Sequence, residues 1–330
     1  MKKKITYAEA INRAFQYILK KFPESFVIGQ GLWSPWYVGS TMKNLPDLFG
    51  KKRIIDSPVS EAGVTSIAVG ASLHKMKPIV VHPRMDFMLL ATDAIINQAS
   101  KWKFMLGGAN SPSVTIRSII NRGGEQGAQH SQSLYSMFAN IPGIVLALPS
   151  NPQDAYDFLI KSVQTNSTVI YIDDRWLYSE EGIVEFNKNS LHKNIFSEKA
   201  KIIKKGNDIT LISLGYGVKI IKEVSKKLLK KKISAELIDL KIINPLDAKS
   251  CINSAKKTKK VFVLDYGWSN CGISSEIISQ IAEKTYNSNI KINYLKITLP
   301  DYPAPTNKLN EKDYYISSTK VFKKIIKHFF

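Results

Sequence analysis

Two stretches of this chain place acid–base side chains where an α/β protein could use them. The first is Asp56-Ser-Pro-Val-Ser-Glu61-Ala-Gly-Val-Thr-Ser-Ile-Ala-Val-Gly70-Ala71. It reads as a strand ending at a proline, then a helix with Ser60 as N-cap. Glu61 falls in the first turn, where the helix dipole favours negative charge. Behind it come Ala62, Gly63, Ala68, Gly70 and Ala71, and each glycine costs roughly 1 kcal/mol of helix propensity relative to alanine. Such residues make sense where another helix or a flat cofactor ring comes close. A capping glutamate on a close-packed helix is the plainer alternative. The second stretch is Asn121-Arg-Gly-Gly-Glu-Gln-Gly-Ala-Gln-His130-Ser-Gln-Ser. A glycine-rich loop follows a strand there and delivers His130 just before a helix, a common place for an active-site residue in an open α/β sheet. A structural loop histidine is the alternative. The loop lacks the Gly-Lys-Ser/Thr ending of a phosphate-binding loop, and the GxGxxG spacing is absent.

The elements that must hold these residues alternate in type. Strand-like runs occur at Phe26-Val-Ile-Gly, Arg53-Ile-Ile-Asp, Pro78-Ile-Val-Val-His, Ser113-Val-Thr-Ile-Arg, Ile144-Val-Leu-Ala-Leu-Pro and Thr168-Val-Ile-Tyr-Ile. Helical stretches are expected near 6–21, 60–75, 87–101, 131–139 and 152–165. A second series follows, with strands beginning at Asp208, Ala235, Lys260 and Ile292 and helices near 217–229, 247–257 and 272–284. The pattern predicts an α/β fold of two doubly wound domains. We expect one over 1–190, a polar linker over 191–204, and a smaller one over 205–330.

Composition narrows the classes of function. A chain of 330 residues with 44% hydrophobic residues can bury two full cores. No apolar run reaches the roughly 20 residues that span a bilayer, and no signal-peptide stretch follows Met1-Lys-Lys-Lys. Cys251 and Cys271 have no metal-like spacing, so reduced thiols in a cytoplasmic protein are expected. The net charge of +20 comes mostly from scattered lysines such as Lys226, Lys227, Lys230, Lys231 and Lys232. No nucleic-acid-binding signature accompanies them, so neither nucleic acid nor membrane is an expected partner. An acidic subunit or an anionic substrate would be attracted by such charge.

The motifs in order resemble a known family. "R-I-I-D-S-P-V-S-E-A-G", "I-A-V-G-A-S-L", "G-A-Q-H-S-Q-S" and "I-P-G-I-V-L-A-L-P-S-N-P-Q-D-A" are similar to β subunits of the thiamine-diphosphate (ThDP) enzymes called 2-oxoacid dehydrogenase E1, of the pyruvate, branched-chain and acetoin types. "I-N-P-L-D", "L-D-Y-G-W-S-N-C-G-I-S-S-E-I" and "L-P-D-Y-P-A-P-T" resemble the same family's C-terminal domain. The resemblance implies a pyrimidine-binding domain followed by a transketolase-type C-terminal domain. It makes Glu61 the partner of N1′ in the cofactor's aminopyrimidine, where a proton helps N4′ deprotonate the thiazolium. A buried glutamate with a raised pKa would suit that exchange. It makes Phe87 the aromatic packed on the pyrimidine and His130 a group facing the thiazolium side. The Gly-Asp-Gly motif that holds Mg²⁺ and diphosphate in such enzymes is absent. The resemblance therefore implies an α-type subunit supplying that half of the site, in an α2β2 assembly, and a lipoyl acyltransferase core as a further partner. A potassium ion on backbone carbonyls near Val163 to Ser167 is admitted by the family pattern without being required.

The chain departs from the family where substrate would lie. Gly29-Gln30-Gly31-Leu-Trp33 replaces a usual pair of acidic residues, and Arg84 and Asp86 stand in a segment otherwise rich in phenylalanine. Leu90 stands where glutamine is common. Gln30, Arg84 and Asp86 suggest a hydroxylated or anionic substrate, while an Arg84–Asp86 pair on a loop is the plainer alternative. Three functions remain open: an E1 β subunit that decarboxylates a 2-oxoacid and passes the acyl group to a lipoyl carrier, a split transketolase-like or non-oxidative ThDP enzyme, and a non-catalytic scaffold.

Overall fold

The computed structural model describes residues 2–186, 191, 193–288 and 290–330. Part of the expected first-domain end (187–190) and of the expected linker (residue 192) lies outside these. The chain divides into two units, residues 1–121 with 137–198, and residues 122–136 with 199–330. The glycine-rich loop carrying His130, expected within 1–190, thus packs with the second unit.

In the first unit the elements run β1 (Lys2–Thr6), α1 (Tyr7–Lys21), β2 (Ser25–Gly29), α2 (Leu45–Phe49), β3 (Ile54–Asp56), α3 (Glu61–Leu73), β4 (Lys77–His82), α4 (Met85–Met88), α5 (Trp102–Met105) and β5 (Thr115–Ile120). Helix α6 (Tyr135–Ala139) leads back from the loop to β6 (Ile144–Ala147), α7 (Pro152–Gln164), β7 (Thr168–Asp174) and β8 (Glu181–Glu185). Six strands form a parallel sheet in the order β6-β7-β5-β4-β2-β3. Every residue of β2, β5 and β7 is buried, as expected for strands covered on both faces. The helices that cover them begin where the side chains dictate. Thr6 caps α1 by accepting from Glu9 N, and Asn151 caps α7 from Asp154 N with Pro152 at its first position.

A buried ion pair crosses this sheet. Arg117 on β5 donates to both carboxylate oxygens of Asp173 on β7, at 2.9 and 2.8 Å, and to Thr41 Oγ1 at 2.9 Å. Tyr178 completes the group by donating to Asp173 Oδ2 at 2.5 Å. Burial works against the Arg117 charge and Asp173 outweighs it, so the guanidinium is held above its usual range.

Two expectations need correction here. The helix expected over 87–101 is broken into α4, a 3-10 turn at Leu89–Ala91, a π-helical stretch at Ala94–Ala99, and then α5 from Trp102. Ser100 N donates back to Ile95 O, the wider π spacing. The expected linker also contains structure: Ile195–Ser197 forms a 3-10 turn, and Lys201–Lys204 is a strand.

That strand, β9, opens the second unit. It is followed by β10 (Ile209–Ser213), α8 (Gly217–Leu229), β11 (Ala235–Asp239), β12 (Ile242–Asn244), α9 (Ala248–Thr258), β13 (Lys260–Leu264), α10 (Ile273–Thr285), β14 (Asn293–Ile297), α11 (Lys308–Tyr314) and α12 (Ser318–Phe329). The sheet order is β14-β13-β10-β11-β9, parallel except for β9, which pairs antiparallel with β11.

Candidate functional site

In an open parallel sheet, ligands meet the loops at the carboxyl ends of the strands. In the first unit those loops carry Gln30 after β2, Ser57 after β3, Arg84 after β4, Asn121 after β5 and Arg175 after β7.

Glu61 is the first residue of α3 and is half-buried. Ser60 precedes it as N-cap by position, yet its side chain makes no capping hydrogen bond. Glu61 lines a small depression together with Gln30, Ser57, Val64 and His82. The full burial that the sequence argument asked of this carboxyl is not supplied by this chain alone. One turn further along α3, Thr65 Oγ1 lies 3.2 Å from Nε2 of His82, which ties the helix to the end of β4. His82 is buried, and desolvation pushes its pKa down to about 4, so its imidazole is neutral at physiological pH.

The loop after β2 is held against β3. Asp56 Oδ1 accepts from Gly31 N at 2.6 Å, and Trp33 Nε1 donates to Ile54 O at 2.8 Å. Gly31 has φ +68°, and a Cβ there would sit 2.1 Å from the Tyr37 ring, so this position requires glycine. Gln30 Nε2 donates to Tyr37 OH at 3.1 Å. Arg84 stands at the N-terminus of α4, Asp86 is buried within it, and Phe87 is 36% exposed.

Gln30 and Glu61 therefore share one depression, with Arg84, Asp86 and Phe87 on the segment that follows β4. His130 lies in the second unit, half-buried in its loop. That loop is fixed to its own unit: Glu125 N donates to Glu311 Oε1 at 3.0 Å, Tyr135 OH donates to Asp265, and Arg122 lies over the Tyr266 ring. Gly127, at φ +72°, passes so close to Thr306 that a Cβ would meet its methyl at 2.5 Å. Sequence reasoning passed over His82 and Arg175. The available signal was position, since both stand at the carboxyl end of a strand.

The residues present fit an aminopyrimidine. Glu61 opens into a depression, Phe87 is partly exposed on the segment after β4, and the outer side of α3 (Ala62, Gly63, Ser66, Gly70) is exposed, with nothing within 4 Å of a Cβ at Gly70. Three of the carbonyls between Val163 and Ser167 already accept hydrogen bonds within this chain. Val163 O accepts from the Lys77 ammonium at 3.0 Å, Thr165 O from Ser113 and Asn166 O from Ser111. A cation of this chain already stands at the first carbonyl. Among the described residues no group of three or more His, Cys, Asp and Glu could hold a metal ion.

Fold and site together define an α/β protein of two units with polar groups gathered at the strand ends of the first. Residues 3–179 match the transketolase pyrimidine-binding domain, and residues 198–321 the transketolase C-terminal domain. The chain is 30% identical to the acetoin:2,6-dichlorophenolindophenol oxidoreductase subunit beta of Bacillus subtilis (strain 168), over 97% of this chain and 96% of that one. It is also 30% identical to the mitochondrial pyruvate dehydrogenase E1 component subunit beta of Saccharomyces cerevisiae (strain ATCC 204508 / S288c), over 98% and 88%. Among solved structures, a split gene transketolase in an inactive beta4 tetramer aligns with TM-score 0.74 over 98% of both chains at 18% identity, a likeness of fold. The chain belongs to the family of E1 β subunits, built from transketolase pyrimidine-binding and C-terminal domains.

Proposed function

We propose that this chain is the pyrimidine-side half of a ThDP-dependent 2-oxoacid dehydrogenase E1. It works with an α-type subunit, as α2β2, that holds Mg²⁺ and the diphosphate. The observation that carries this reading is Glu61, placed at the first turn of α3 and open to the depression it shares with Gln30 and His82, in a chain without Gly-Asp-Gly. When bound, ThDP supplies the nucleophilic carbon and the electron sink for decarboxylation. Glu61 holds and exchanges the proton at N1′, Phe87 packs on the pyrimidine, and His130 steadies or protonates groups derived from substrate. The acyl group passes to a lipoyl carrier of an acyltransferase core. Free thiols at Cys251 and Cys271 suit the reducing cytoplasm as the site of this work.

The test is co-expression with an adjacent α-type gene product, followed by ThDP-dependent turnover of 2-oxoacids. Glu61→Gln should lower kcat about 100-fold or more, the usual range for a lost acid–base group. An unchanged rate would move the chain to the scaffold reading. The cations after β4 and β7 favour a second reading, a split transketolase-like or non-oxidative enzyme for sugar-derived substrates; ketose phosphates assayed beside 2-oxoacids separate the two.

A further inference from the structure

The guanidinium of Arg84 is placed at odds with its surroundings. Its Nη1 is buried and has no hydrogen-bond partner, an expensive state for a charged donor. Burial, and then the like charge of Arg175, push this guanidinium below its usual range, while Tyr37 and Asp86 pull the other way. Arg175 is fixed by neutral acceptors only: Asn121 Oδ1 at 3.1 Å and the carbonyls of Trp36 and Tyr37 at 3.2 and 2.7 Å. Acceptors on the loops after β2 and β5 thus hold Arg175, and Asn121, whose Nδ2 donates to Pro83 O at 3.1 Å, ties it to the residue before Arg84, whose Nη1 is the donor left over. Tyr37 OH accepts from Gln30, which leaves its own O–H to donate. The cluster adjoins the Glu61 depression through Gln30 on one side and Pro83, the residue before Arg84, on the other. An anion between the two guanidinium groups would satisfy Nη1 and relieve the repulsion together.

We propose that Arg84, Arg175 and Tyr37 form an oxyanion subsite beside the Glu61 depression, taking a second negatively charged group of the substrate, a distal carboxylate or a phosphoryl group. The proposal rests on reading that depression as the substrate-facing site. The carboxylate of a 2-oxoacid next to the reacting carbon leaves as CO₂, so a fixed pair of cations is of use to a different anionic group. A substrate lacking that group would leave a buried guanidinium unpaired, the arrangement that discriminates most strongly against the smaller analogue.

The first arm titrates the full-length chain with succinate and with inorganic phosphate at constant ionic strength, following fluorescence of Trp36, which is 75% exposed and adjacent to Tyr37. Saturable binding is expected. It should weaken at least tenfold in Arg84→Gln and in Arg175→Gln, and hold in a Lys226→Gln/Lys230→Gln control at the C-terminal end of α8. The tighter anion names the group. Equal responses of wild type and Arg84→Gln, or a signal that follows ionic strength alone, overturn the subsite. The second arm uses the complex with its α-type partner and compares 2-oxoglutarate with 2-oxobutyrate. If the carboxylate is the group, Arg84→Gln should lower the ratio of their kcat/KM values at least tenfold. A phosphoryl preference in the first arm moves this comparison to a phosphorylated and an unphosphorylated ketose. Anion binding by the chain without ThDP turnover in the complex would defeat the ThDP reading and leave the subsite standing. Turnover with no anion binding would defeat the subsite alone.

Discussion

At the scale of single residues, His82 shows how position converts an ordinary side chain into a constrained one. It is buried against Thr65, and desolvation takes its pKa to about 4, whereas an unfolded imidazole titrates near 6.5. Between those values the unfolded chain binds a proton that the folded chain refuses. Stability should therefore be level above about pH 6.5 and fall as pH drops toward about 4, by up to about 3 kcal/mol. Urea unfolding at pH 7.5 and pH 5 checks this: His82→Gln should flatten the difference, and an undiminished difference would acquit His82. The motif around Glu61 was readable because a helix start is a local signal. The arginine cluster was half readable. Arg84 stood out as a departure, but Arg175 is 91 residues away in the chain, and only the parallel pairing of β4, β5 and β7 brings the two strand ends into one neighbourhood.

At the scale of elements, the Arg117–Asp173 pair joins β5 and β7 and reaches the loop after β2 through Thr41. Removing one partner leaves a buried charge alone, so Arg117→Met should cost about 3–5 kcal/mol. Adding Asp173→Asn to it should cost less than the two single changes summed, as chemical denaturation of the three variants would reveal. Strictly additive losses would mean the pair is not coupled. The core strands of both sheets were legible as apolar runs. The β1–β8 ribbon was not, because Lys2-Lys-Lys-Ile-Thr has no apolar alternation. Its pairing is marked by charge instead, Lys4 against Glu181 at 2.5 Å and Lys2 against Glu185 at 3.7 Å, with the partner strand far along the chain. The broken helix after α4 escaped for another reason, since a π-helical stretch leaves no composition signal of its own.

At the scale of the whole molecule, the outer face of α3 is where we propose that the α-type partner packs. Ala62, Gly63, Ser66 and Gly70 are exposed, and Ile67 beside them is 62% exposed. Gly70→Leu has open space to enter and replaces a poor helix former. The chain alone should be unharmed or up to about 1 kcal/mol more stable, while association with the α-type partner should fail in size-exclusion chromatography. Normal assembly of that variant would show that the partner sits elsewhere. The passage of the chain between its two units bears on how such a protein can be recombined. The polypeptide crosses at 121/122, at 136/137 within α6, and at 198/199. The halves are therefore not genetic cassettes. A crossover near residue 190 would import a His130 loop shaped for another protein's Glu311, Asp265 and Thr306, so functional chimeras should require residues 122–136 to travel with 199–330.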